Sequence, residues 1–62
     1  MSEQQKQTMQ KELEKFLSKY SYARYSAQYI LANESLKMII AISNCLGTPV
    51  PTHVNGYTLR AI

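Results

Sequence analysis

The sequence predicts an α+β fold, mostly α: two helices, with three as the alternative, followed by a C-terminal β-hairpin. Apolar residues recur at steps of three and four from Met9 to Leu46, the period of a helix face. Asn55-Gly56 lies between short runs containing Val, Thr and Tyr, and that dipeptide is the preferred tip of a two-residue hairpin. Leu36 to Leu46, LKMIIAISNCL, carries apolar side chains on nearly every side of a helix, so the remainder of the chain must be arranged to cover it.

The first helix is expected over about residues 2–19. Ser2 and Gln5 make a capping-box pattern, and Met9, Leu13, Phe16, Leu17 and Tyr20 form one stripe. Lys11, Lys15 and Lys19 stand four apart on the polar side. The first few residues carry no apolar anchor and are expected to fray. A break is expected near Ser21, acting as N-cap of the next segment, because the apolar series that starts at Tyr22 does not continue the first stripe in phase. No Gly or Pro marks that break, so an unbroken or bent helix is the competing reading.

The second helix is expected over about residues 22–46, along Tyr22, Tyr25, Tyr29, Ala32, Leu36, Ile39, Ser43 and Leu46. As one piece it would be about 37 Å long at 1.5 Å per residue. Asn33 is the place for a kink, or for the cap of a separate third helix with Glu34 in its first turn. Gly47 supplies a left-handed stop and Pro49 forbids continuation. Thr48 to Pro51 reads as a stiff, extended connector.

The hairpin is expected over about residues 50–61. With Asn55-Gly56 at the tip, Val54 faces Tyr57, Thr52 faces Leu59 and Val50 faces Ala61, all on one side. His53, Thr58, Pro51 and Arg60 take the other side. A two-stranded ribbon is not stable alone in water, so the Val/Tyr/Leu side must lie on the helices.

Size and composition limit what such a chain can be. Its 62 residues read as a single small domain, 1–62, which would bury too little surface to be more than marginally stable. Cys45 is the only cysteine, so no internal disulfide can help, and no metal site or cofactor is expected. A second polypeptide is the remaining device, most simply a homodimer. With 45% hydrophobic and 18% charged residues the chain should fold. Its net charge of +3 permits acidic partners without requiring them. No secretory leader or membrane-length apolar run is legible, so a soluble cytoplasmic protein with no membrane partner is expected.

No catalytic residues are assigned. His53 has no Asp to orient it, since the four carboxylates are Glu3, Glu12, Glu14 and Glu34, and these do not converge. Cys45, near a helix C-terminus, is expected as buried filler. The tyrosines carry more information. Tyr20, Tyr22, Tyr25 and Tyr29 crowd together around Arg24, a composition enriched where proteins meet proteins, so Tyr22, Arg24, Tyr25 and Tyr29 form the candidate partner-binding set. The expectation is a small non-enzymatic regulator or inhibitor that docks on a larger protein as a homodimer. Such compact, motif-free, basic chains are common among accessory proteins of phages and mobile elements.

The alternative follows from a helix start at Asn33. Three helices and a hairpin would resemble a minimal winged helix-turn-helix, which implies a DNA-binding regulator. The candidate nucleic-acid contacts are then Lys11, Lys15, Lys19, Lys37, His53 and Arg60.

Overall fold

The computed structural model describes residues 2–62. Helix α1 spans Glu3–Tyr25, helix α2 spans Tyr29–Leu46, and strands β1 (His53–Val54) and β2 (Tyr57–Thr58) form an antiparallel hairpin. The expected α+β, mostly α architecture is present in its two-helix form. The molecule measures 37 × 19 × 16 Å, and its long axis matches the length of α1, about 34 Å at 1.5 Å per residue.

Helix α1 starts as the sequence indicates. The Ser2 side chain accepts from the Gln5 N–H and the Gln5 side chain accepts from the Ser2 N–H, both at 3.2 Å, completing the capping box. It ends later than expected: there is no break at Ser21, and the helix runs on to Tyr25. Ala23 explains this. It lies three residues beyond Tyr20 and is fully buried, so it continues the Leu13–Phe16–Tyr20 stripe in phase. The series beginning at Tyr22 does not mark a new helix; Tyr22 and Tyr25 point outward from the same one. Ser21 is not an N-cap either. Its hydroxyl donates to the Ser18 carbonyl and accepts from the Asn55 amide, 2.9 Å away, which ties the C-terminal part of α1 to the hairpin tip.

The turn comes at Ser26 to Gln28. Ala27 adopts a left-handed conformation at φ 59°, the Gln28 N–H donates to the Ala23 carbonyl at 2.8 Å, and the Ala27 N–H donates to that of Arg24 at 3.3 Å. This is the Schellman closure, with Ala in the position that glycine usually takes. Helix α2 ends the same way with the usual residue: Gly47 has φ 71°, and the N–H groups of Thr48 and Gly47 donate to Ser43 and Asn44.

Helix α2 therefore begins at Tyr29 rather than Tyr22, and it passes through Asn33 without a new start. The three-helix order does not form. Asn33 instead uses its amide to bracket the end of the chain, donating to the Ile62 carbonyl at 2.9 Å and accepting from the Ile62 N–H at 2.8 Å.

The core lies between the two helices and under the hairpin. Tyr20, Ala23, Ala32, Leu36 and Ile39 are buried, with Leu13, Phe16, Leu17, Leu31, Val50, Val54, Tyr57 and Leu59 packed around them. Small buried residues (Ala23, Ala32, Ser35 and Ser43) let the helix backbones approach closely.

The hairpin has the expected register, Val54 opposite Tyr57 and His53 opposite Thr58. Asn55 and Gly56 have φ of 49° and 84°, the paired positive values of a type I′ turn. The ladder is shorter than 50–61. One further bond, Leu59 N–H to the Thr52 carbonyl, extends it. Beyond that, the outward-pointing N–H and carbonyl of Arg60, in the non-hydrogen-bonded position of the ladder, both bond to the Tyr20 hydroxyl. Cys45 is exposed, not buried filler. It stands two residues past buried Ser43, about 200° further round the helix.

Candidate protein-binding surface

Helix geometry sorts the tyrosines by task. Tyr20 faces inward with no exposed surface. Tyr22 and Tyr25, three apart, occupy one outer face of α1 and are 62% and 81% exposed. Tyr29 opens α2 just past the turn, 49% exposed, and Ile30 beside it is 79% exposed. Exposed rings thus stand on both sides of the Ser26–Gln28 turn, Tyr22 and Tyr25 on the outer face of α1 and Tyr29 on the first turn of α2. An open hollow of about 540 Å³ adjoins Tyr29 and Ile30, lined also by Ala27, Gln28, Leu31 and Glu34. Large apolar side chains left in water are candidate contact points for a partner.

Arg24 has a different placement from its three companions. Its guanidinium donates to the Tyr20 hydroxyl at 2.9 Å and to the Thr58 carbonyl at 3.1 Å. It also lies over the Tyr57 ring at 5.3 Å and the Tyr20 ring at 5.7 Å, at cation–π range. Arg24 therefore clamps the hairpin to α1.

The remaining basic side chains are distributed over both helices and the C-terminal segment. Lys11, Lys15 and Lys19 are exposed on α1, with the ammonium groups of Lys15 and Lys19 6.0 and 5.2 Å from the Phe16 ring. Lys37 is exposed on α2, and His53 and Arg60 on the C-terminal segment. Because α1 is continuous to Tyr25, Lys11 and Lys15 share a helical face with Tyr22 and Tyr25.

The site offers little for bond-making chemistry. His53 Nδ1 lies 3.0 Å from the Thr52 hydroxyl, but this pair is exposed and no carboxylate bonds the ring among the described residues. Nor, among those residues, do three or more His, Cys, Asp or Glu side chains gather as a metal site would require. No helix among them is long and apolar enough to cross a membrane. The chain matches no family model, and neither a curated protein nor a solved structure is similar to it.

Proposed function

We propose that this chain is a small non-enzymatic regulator or inhibitor that acts by binding a larger protein, and that it works as a self-associated pair. The observation that carries this reading is the exposure of Tyr22, Tyr25 and Tyr29 on either side of the α1–α2 turn. A chain this small has few large apolar side chains, and leaving these in water forfeits about 1.5–3 kcal/mol for each one that a partner could cover. Tyrosine suits such a surface because its ring binds while its hydroxyl stays wet.

The test is affinity capture with the tagged chain from its native host, with nuclease and about 0.5 M salt in the wash, conditions that strip phosphate-mediated contacts. A protein that survives both and is lost with Tyr25→Ala supports the reading. Capture that depends on nucleic acid, and fails with Lys11→Glu and Lys15→Glu, would replace it by the DNA-binding alternative.

A further inference from the structure

Helix α2 has an outer face that the fold leaves uncovered. Its inner side is buried along Ala32, Ser35, Leu36, Ile39, Ile42 and Ser43. On the opposite side Ile30, Glu34, Lys37 and Ala41 follow one another at steps of four, three and four, all exposed, with Met38 on the flank at 43% exposure. Glu34 and Lys37 are the only charged residues in this helix. A helix that is apolar almost all round is ordinarily buried on all sides.

The order of residues along this face is self-complementary. Turned end for end against itself at the level of residues 35 and 36, the strip sets Glu34 against the partner's Lys37 and Lys37 against the partner's Glu34. The same operation sets Ile30 against the partner's Ala41, a large side chain opposite a small one, and does so twice. Acid meets base and bulk meets space under a single two-fold axis. An unrelated partner would not require such reciprocity, whereas an isologous contact does. We infer that a second copy of this chain packs antiparallel on the outer face of α2, with reciprocal Glu34–Lys37 pairs fixing its register.

This inference rests on the self-association proposed above, and the experiment separates the two. Sedimentation equilibrium is run on the full chain and on Glu34→Lys, Lys37→Glu and the double exchange, under reducing agent so that Cys45 cannot form a disulfide. Circular dichroism checks that all four proteins are equally helical. The wild type is dimeric; each single reversal places like charges together twice and weakens the dimer by about tenfold or more, while the double exchange restores it to within about threefold. A wild-type dimer indifferent to single reversal, or not rescued by the double exchange, overturns this interface and leaves self-association standing. A wild type monomeric at millimolar concentration overturns both.

Discussion

The Tyr20 hydroxyl donates to the Arg60 carbonyl at 2.8 Å and accepts from the Arg60 N–H at 3.1 Å, so one phenol on α1 closes both backbone groups of a residue 40 positions away. The Arg24 guanidinium donates to the same oxygen, and the Thr58 carbonyl lies 3.1 Å from it. A phenol offers one proton and two lone pairs, and all three are engaged.

Tyr20→Phe should therefore destabilise the fold by about 1–3 kcal/mol, because the ring remains while three partly buried hydrogen bonds are lost. Urea denaturation followed by circular dichroism measures this. A change below about 0.5 kcal/mol would show that the hydroxyl does not hold the hairpin in place.

Ala27→Gly should stabilise. Ala27 sits at φ 59°, where a Cβ meets backbone and costs about 1–2 kcal/mol; glycine removes that cost but gains freedom in the unfolded chain. The net expectation is about 0.5–1 kcal/mol, read as a rise in Tm of several degrees. A lower Tm would contradict the closure assigned to this turn.

Those two residues also show why the helix boundary was not legible. The sequence marks the end of α2 with Gly47 but gives the identical closure at Ala27 no glycine, so only a change of apolar phase hints at a boundary there. That change rests on tyrosines, which are apolar enough to count in a stripe and polar enough to stand in water. Ala23, too small to stand out, was the residue continuing the core. The hairpin was legible because Asn-Gly has a single geometric meaning. Its length was not, because the residues after Leu59 are held by Tyr20 and Asn33, far away in sequence.

Ser43→Ala should stabilise the protein as well. The Ser43 hydroxyl is buried and has no hydrogen-bond partner among the described residues, so its desolvation is uncompensated. Alanine also has the higher helix propensity. Together these give a gain of about 1 kcal/mol in urea titration. A loss would mean that the hydroxyl is satisfied in solution.

Tyr25→Ala and Arg24→Ala separate the candidate surface from the scaffold. Tyr25 is 81% exposed, and its removal should change stability by no more than about 0.5 kcal/mol while abolishing partner capture. Arg24→Ala removes two hydrogen bonds and two ring contacts, and should cost about 1–3 kcal/mol. Equal stability of the two variants would undo this division. The sequence grouped these residues together because tyrosine and arginine are both interface formers; only the fold turns Arg24 the other way.

The opening turns of α1 lie outside all of these arrangements. From Glu3 to Gln10 only Met9 is even half-buried, so beyond the capping box little but local backbone bonding keeps this stretch wound. Amide deuterium uptake should grade along the helix, fast at its beginning and slow around Tyr20 and Ala23. Unwinding these turns would break none of the contacts around Tyr20 and Ala23, so this end of the helix can open without melting the body of the protein.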